Sequence, residues 1–314
     1  MPARIEARGP PVGPIVRLAG ETMGTGWSVL YAAPALEPDA VRRRVEARLG
    51  AIVAELSHWE PKSLLSRFNR ASAGTWLPLP PDFATVIAAG IAMATLSEGA
   101  FDPTLGRLVD LLGYGPPGLQ PTPSAAAVGE ARAASGYRRL AFDSAACRLR
   151  QPGGLALDLS GIAKGHAVDA LGGVLAAMGA RHWLVEIGGE LKGAGMRPDG
   201  DPWWVDLEDP PGAACAPLRI ALHGLAIATS GDYRHGSHTI DPRTGAPAAH
   251  GVRSVSVVHP SAMLADAWAT ALTVLGPEAG LALAAAHAIA ARIIVIADMP
   301  TEHISPALAA MMED

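Results

Sequence analysis

Hydrophobic positions in the first hundred residues recur at helical spacing. Residues 38–54 form an amphipathic pattern that predicts a helix, which Asp39 can cap. A second helix is predicted over 82–98, after the proline-rich breaker at 78–81 and before Gly99. The apolar side chains that share one face of the first helix are Val41, Val45, Leu49, Ile52 and Val53.

The second half of the chain has a different pattern. Short apolar runs alternate with glycine-bounded turns and alanine-rich segments, which predicts a mixed sheet covered by helices and an α+β fold. Residues 281–297 change from alanine-rich to β-branched, with His287 and Arg292 interrupting them, so they predict a helix followed by a buried strand and no membrane span. The predicted strands are 155–159, 183–187, 218–222 and 255–258, and the Pro- and Gly-rich residues 113–123 predict a surface loop.

Length and composition set the domain organisation. With 314 residues and 49% hydrophobic composition, the chain can bury a large core in one elaborate domain or in two interleaved subdomains. We expect a loose N-terminal arm over 1–19, a folded domain over 20–300 and a C-terminal tail over 301–314.

Charge and cysteine content narrow the function classes. The formal net charge is −5, from 30 acidic and 25 basic residues spread along the chain, so no basic face for nucleic acid is expected. The two cysteines stand far apart, which argues against a disulfide framework or a structural zinc site. The first twenty residues mix charges with four prolines and lack a signal-peptide core, so the chain as written is expected in the cytoplasm, or in the periplasm if a leader has been removed.

The segment 155–169 carries the first candidate chemistry. Asp158 follows an apolar run, and Lys164 falls in the first turn of a helix that begins near Ile162. A carboxylate and a lysine beside the free N–H groups of a helix start can hold a phosphate. The alternative is that Asp158 caps the helix while Lys164 is solvated.

The second candidate is a pair of oxygen donors on an alanine-rich helix. Asp266 and Thr270 are four residues apart and share a helix face. Two hard oxygen donors suit Mg²⁺, which takes its other ligands from phosphate and water. A hydrogen bond between the two side chains within the helix is the structural alternative.

Polar residues cluster in two further places. Residues 228–234 and 237–245 are rich in Gly, Ser, Thr and charged residues, although good turn chemistry at 241–245 can explain part of this pattern. His238 can be a base, a ligand contact or a satisfied loop histidine. Three other pieces, 21–25, 56–69 and 99–104, place Met and aromatic residues beside polar loops, where they can sandwich a flat ring or belong to the core.

In this order the pieces resemble the ApbE family, whose members are FAD:protein FMN transferases. The resemblance covers about residues 20–275. Eight ordered boxes are far more specific than any one of them. The boxes are Glu21-Thr-Met-Gly-Thr, Ser63-x-x-Ser-Arg-Phe-Asn, Phe101-Asp-Pro-Thr, Asp158-Leu-Ser-Gly-Ile-Ala-Lys-Gly, Val185-Glu-Ile-Gly-Gly-Glu, Thr229-Ser-Gly-Asp-Tyr-Arg, His238-Thr-Ile-Asp-Pro-Arg-Thr-Gly and Pro260-Ser-Ala-Met-Leu-Ala-Asp-Ala-Trp-Ala-Thr.

The resemblance implies an α+β fold with FAD in a cleft between two subdomains. It implies that Met23 and Trp59 lie against the flavin and that Asp158 and Lys164 bind the adenylate or phosphate part. It further implies that Mg²⁺ is held by Asp266, Thr270 and the carbonyl groups of Gly161 and Ala269. The remaining cofactor contacts implied by the resemblance are Ala100, Phe101, Asp102, Ser230, Gly231, Asp232, Tyr233, His238 and Ile240.

The implied reaction transfers the FMN half of FAD to a Thr or Ser hydroxyl of an acceptor protein and releases AMP. Mg²⁺ and a lysine would stabilise the charge that develops on the phosphoryl oxygens. Asp266 and Lys164 are the expected catalytic residues, with His238 and Asp241 as candidate bases. Two rival readings are an FAD pyrophosphatase that uses water at the same site and a non-catalytic flavin-binding or flavin-trafficking protein.

Overall fold

The computed structural model describes residues 10–213, 215–231, 238–296 and 300–313. Its strands are β1 (Val16–Thr22), β2 (Thr25–Tyr31), β3 (Trp76–Pro78), β4 (Ala141–Asp143), β5 (Arg148–Arg150), β6 (Trp183–Ile187), β7 (Glu190–Ala194), β8 (Trp203–Asp206), β9 (Arg219–Leu222), β10 (Ala226–Gly231), β11 (Ile240–Asp241), β12 (Ala246–Pro247), β13 (Val252–His259), β14 (Ala290–Ile296) and β15 (Pro300–Ile304). Its α-helices are α1 (Pro38–Leu56), α2 (Leu64–Arg70), α3 (Pro81–Leu96), α4 (Gly106–Leu111), α5 (Ala125–Ala134), α6 (Ser160–Ala177), α7 (Ala262–Ala286) and α8 (Pro306–Glu313).

Eight strands form one large sheet, in the order β1-β2-β6-β7-β10-β13-β14-β15. The α+β class is confirmed, but neighbouring strands in this sheet all pair antiparallel, where a mixed sheet was expected. Local turns explain part of the difference. The β1–β2 and β6–β7 hairpins turn on Met23–Gly24 and Gly188–Gly189, whose φ angles are all positive, as tight two-residue hairpins require.

The helices α6 and α7 pack side by side on one face of the large sheet. α1 covers α6 and confirms the first predicted helix. Its N-cap is Glu37, so the capping role expected for Asp39 is wrong, because Asp39 already lies inside the first turn. The buried face of α1 consists of Val41, Val45, Leu49, Ile52 and Leu56.

The opposite face of the sheet is covered by the β8–β9 hairpin and α8. Trp203 and Leu222 from the hairpin pack with Ile227 of β10 and Leu308 of α8 in a second apolar cluster. The sheet is therefore buried on both faces, as a layered α+β fold requires.

Both chain ends contribute more structure than the sequence pattern indicates. β1 begins at Val16, inside the segment expected to be a loose arm, and it forms one edge of the large sheet. β15 and α8 occupy the expected C-terminal tail, where β15 forms the other edge. Backbone pairing with β2 and β14 holds these two edge strands in place.

Most of the other predicted elements are confirmed. The strands at 183–187, 218–222 and 255–258 correspond to β6, β9 and part of β13. The segment 155–159 is not a strand, since its one bridge joins Ala156 to Leu105.

Hydrogen bonds from side chains, and not from a neighbouring strand, hold the segment 155–159. Asn69 bonds both backbone groups of Leu157, at 2.9 and 2.7 Å, and Gln151 donates to the carbonyl of Leu155. Because these contacts satisfy the backbone, an apolar run here needs no neighbouring strand.

The helix α7 is the one helix in the described chain with the length and apolarity of a membrane span. It bends at Gly276–Pro277 and packs against α6, β10 and β13. These contacts are those of a core helix, and β14 follows as the buried strand that the sequence predicts.

Candidate active site

A cavity of about 430 Å³ opens at one end of the large sheet. Its walls come from the tips of the β1–β2 and β6–β7 hairpins, the end of β10, the start of α6 and the segment 100–109. Thirteen of the residues singled out from the sequence line this cavity. They are Met23, Ala100, Phe101, Asp102, Asp158, Gly161, Lys164, Ser230, Gly231, His238, Ile240, Asp266 and Thr270.

A second cavity of about 600 Å³ adjoins the first and shares Met23, Asp158 and Lys164 with it. Trp59 lines this second cavity, and 64% of its surface is exposed. Ser63 and Ser66 hold the loop that carries Trp59, because their hydroxyl groups donate to the carbonyl of Ser57, at 2.6 and 3.5 Å. The box around Ser63 thus positions the tryptophan.

Asp158 lies one residue before the N-cap of α6 and lines the two cavities. Its Oδ1 atom accepts a hydrogen bond from the backbone N–H of Ser160 at 3.0 Å, and its Oδ2 atom accepts one from the Ser160 hydroxyl at 2.9 Å. The N-cap of α6 is Leu159, and no side chain caps it, so the capping alternative for Asp158 is not confirmed. The same contacts hold the carboxylate at the cavity wall.

The closest approach of α6 to α7 brings the predicted cation ligands together. A Cβ atom built on Gly165 would lie 2.2 Å from the carbonyl oxygen of Ala262, so only glycine fits at this crossing. The Gly165 N–H donates to Oδ2 of Asp266 at 3.1 Å, which orients that carboxylate. One turn earlier on α6, Gly161 faces the hydroxyl of Thr270.

Lys164 is paired with a buried acid. Its Nζ atom lies 2.5 Å from Oε1 of Glu190, whose surface is 1% exposed. Burial raises the pKa of Glu190, while the Lys164 ammonium opposes the rise and Asp266 adds to it. Burial also raises the pKa of Asp266, again against the influence of Lys164. The alternative in which Lys164 is a solvated surface lysine is therefore wrong.

Asp102 joins two parts of the cavity wall. Its Oδ1 atom accepts from the backbone and hydroxyl of Thr104, and its Oδ2 atom accepts from the Tyr137 N–H at 3.0 Å. Burial raises the pKa of this carboxyl, and these three hydrogen bonds oppose the rise.

Two of the expected site residues do not line either cavity. Asp241 is buried, and both of its carboxylate oxygens accept hydrogen bonds from Arg243, so this acid orders its own turn and the structure gives no support to it as a base. Ala269 is buried in α7, and its carbonyl accepts a hydrogen bond from the Thr273 hydroxyl at 2.8 Å. Asp232 and Tyr233 lie outside the described residues.

Comparison with known proteins places this geometry in a family. The sequence profile of the ApbE family matches residues 23–293. The chain belongs to the ApbE family.

Its relatives are similar over most of their length. The FAD:protein FMN transferase of Haemophilus influenzae is 34% identical over 90% of this chain and 87% of its own, and that of Klebsiella pneumoniae is 36% identical over 83% and 79%. Among solved structures, the apo form of the Pseudomonas stutzeri flavinyl transferase ApbE has a TM-score of 0.90 and 37% identity, and it covers 96% of this chain and 98% of its own. The Vibrio cholerae flavin transferase ApbE has a TM-score of 0.88 and 34% identity, with 95% and 99% covered.

The oxygen donors of this ApbE-family chain fit a magnesium ion that takes its remaining ligands from a diphosphate and from water. The described residues contain no group of three His, Cys, Asp or Glu side chains that could cage a metal alone. Asp266, Thr270 and Gly161 all line this cavity, and they carry one carboxylate, one hydroxyl and one backbone carbonyl that could serve as ligands. Mg²⁺ in phosphate sites uses one or two carboxylates and completes its shell with phosphate and water.

Glu190 is the site residue that the sequence analysis did not select. It stands at the end of the fifth box, directly after the Gly188–Gly189 turn. An acid that follows a tight turn and opens a strand is the one signal that could have drawn attention to it. Its second oxygen, Oε2, is buried and has no hydrogen-bond partner among the described residues.

Proposed function

We propose that this chain is a Mg²⁺-dependent FAD:protein FMN transferase that attaches FMN to a Thr or Ser hydroxyl of an acceptor protein. The supporting observation is the convergence of Lys164, Asp266, Thr270 and the Gly161 backbone in one cavity. Relatives named FAD:protein FMN transferase, at 34–36% identity over more than four fifths of the chain, support FAD as the substrate.

In the proposed reaction, the acceptor hydroxyl oxygen attacks the FMN-side phosphorus of FAD. The bond from that phosphorus to the bridging oxygen breaks, and AMP leaves with the electron pair. The hydroxyl proton passes to a base, for which His238 is the candidate because it lines the cavity. The products are an FMN phosphoester on the acceptor and free AMP.

The chain's own groups supply charge and orientation. Lys164 and Met23 both line the cavity, where the Lys164 ammonium would neutralise charge on the diphosphate and Met23 would offer an apolar surface to a flat ring. Asp266, Thr270 and the Gly161 carbonyl would hold Mg²⁺. When bound there, the ion neutralises charge on the phosphoryl oxygens.

One experiment separates the transferase from its rivals. The protein is incubated with FAD and Mg²⁺, with and without a candidate acceptor protein, and AMP and the intact mass of the acceptor are measured. We expect AMP release to depend on the acceptor and to match the gain of one FMN per acceptor. AMP and FMN formed equally well without any acceptor would indicate a pyrophosphatase, and FAD binding with no AMP at all would indicate a flavin-binding protein.

A further inference from the structure

We propose that Glu190 is a positioning residue, which holds the Lys164 ammonium on the β7 side of the cavity and so leaves Asp266 free to bind a divalent cation. This inference rests on the proposed function, because it concerns the cation that the transferase reaction would use. Glu190 acts through Lys164 and touches neither substrate nor cation in this scheme.

The first argument is the rigidity of Glu190. Its backbone pairs with Ile187 across the tight Gly188–Gly189 turn, and its side chain is enclosed between β7 and α6. Lys164 extends from α6 to reach it at 2.5 Å. A charge-assisted contact of this length to an enclosed side chain holds the ammonium in place.

The second argument is competition for one positive charge. Lys164 interacts electrostatically with both Glu190 and Asp266, and these two acids interact with each other. The Asp266 carboxylate is itself held by the Gly165 N–H, so it cannot swing away from a new partner. If Glu190 lost its charge, the ammonium would be drawn to Asp266 and would oppose a cation there.

A neighbouring ion pair provides a matched control. Lys192, two residues after Glu190 on β7, contacts Asp169 of α6 at 2.6 Å. This pair joins the same strand to the same helix with the charges reversed, and Lys192 does not line either cavity. Replacement of Lys192 therefore tests α6–β7 packing without disturbing Lys164.

The experiment measures cation binding directly and not turnover. Mn²⁺, an EPR-visible stand-in for Mg²⁺ that binds oxygen ligands more tightly, is titrated into the full chain without nucleotide. The proteins are the wild type, Glu190→Gln, Lys164→Met, the double variant and Lys192→Met, each checked for folding by circular dichroism. Glu190→Asp, which keeps the charge, is the second variant at this position.

We expect Glu190→Gln to weaken Mn²⁺ binding roughly tenfold, but by less than about twofold in the Lys164→Met background, because no ammonium then remains to compete. Glu190→Asp and Lys192→Met should both stay within about threefold of the wild type.

Equal effects of Glu190→Gln in both backgrounds, no effect in either, or an equal loss in Lys192→Met would overturn the positioning role. If Glu190→Gln does not fold, a tenfold loss in Glu190→Asp that persists in the Lys164→Met background would overturn it as well. A wild type that binds no Mn²⁺ overturns this inference, whereas the proposed function, in which a diphosphate completes the cation's shell, is tested separately by acceptor-dependent AMP release.

Discussion

The hydroxyl oxygen of Thr270 lies 2.7 Å from the point where a Cβ atom on Gly161 would stand. Gly161 has φ −86° and ψ 17°, angles that alanine also adopts, so backbone strain does not explain the glycine. The absence of a side chain instead lets α6 and α7 approach closely enough for both residues to face the same point of the cavity.

Replacement of Gly161 by alanine should therefore damage the cation site while the fold survives. We expect Gly161→Ala to displace the Thr270 hydroxyl, to raise the half-saturating Mg²⁺ concentration and to lower FAD turnover at least about tenfold. AMP release measured across a Mg²⁺ titration tests this expectation. Gly173→Ala is the control, because Gly173 lies on the same helix with open space around it and should gain about 0.5–1 kcal/mol of stability with unchanged turnover. Equal turnover in the two variants would contradict the prediction.

The sequence predicts the ligands of this site better than it predicts what holds them. Gly161, Asp266 and Thr270 could be selected because their boxes occur in the family's order, and the structure brings all three to one cavity. The partner of Lys164 could not be selected in the same way. Glu190 reaches the lysine only because β7 lies beside α6, and no local pattern encodes that placement.

The segment 155–159 shows a second limit of sequence patterns. An apolar run of five residues predicts a strand, since such runs usually find a neighbour in a sheet. Here two residues outside the run bond to its backbone groups. Asn69 lies far away in the sequence, and Gln151 lies four residues before Leu155. Hydrophobicity alone does not distinguish burial in a sheet from burial under side chains.

Trp59 offers an independent test of the second cavity. We expect Trp59→Ala to weaken FAD binding roughly tenfold, because the flavin ring would lose its stacking contact with the exposed indole of Trp59. Flavin fluorescence in the absence of Mg²⁺ gives the dissociation constant. Trp76→Ala is the control. Trp76, on β3, is also exposed, but its ring packs under the Arg148 guanidinium of β5, and it lines neither cavity. If both variants bind FAD as the wild type does, Trp59 has no part in binding.

Asp169 should be important for the stability of the α6–α7 pair. Its carboxylate accepts hydrogen bonds from the Ser261 hydroxyl and from the N–H groups of Ala262 and Met263, which begin α7, at 2.7–3.1 Å. We expect Asp169→Asn to lower the free energy of unfolding by about 2–4 kcal/mol, because the amide NH₂ group would face hydrogen-bond donors where a carboxylate oxygen now accepts. Urea unfolding measures the loss. Asp39→Asn, in the exposed first turn of α1, is the control and should cost less than about 1 kcal/mol.

A polar cluster whose residues line neither cavity predicts a pH dependence of stability. Asp82, at the start of α3, contacts Arg48 of α1 through both carboxylate oxygens, one at 2.6 Å, and His166 of α6 at 3.1 Å. The hydrogen bonds from Arg48 lower the pKa of Asp82 despite its partial burial, and they outweigh the other effects. Among the described residues, Glu55 is the other charged group that acts on this cluster.

A carboxyl whose pKa is lowered by folding stabilises the folded state when it is ionised. Its contribution is complete above the unfolded pKa of about 3.9 and is lost as the pH falls through the lower folded value. We therefore expect Asp82→Asn to cost about 1–3 kcal/mol at pH 6, with the difference from the wild type shrinking below about pH 4. Urea unfolding of both proteins between pH 6 and pH 3 tests this. If the difference in unfolding free energy between the two proteins stays constant over that range, the charge of Asp82 does not contribute to stability.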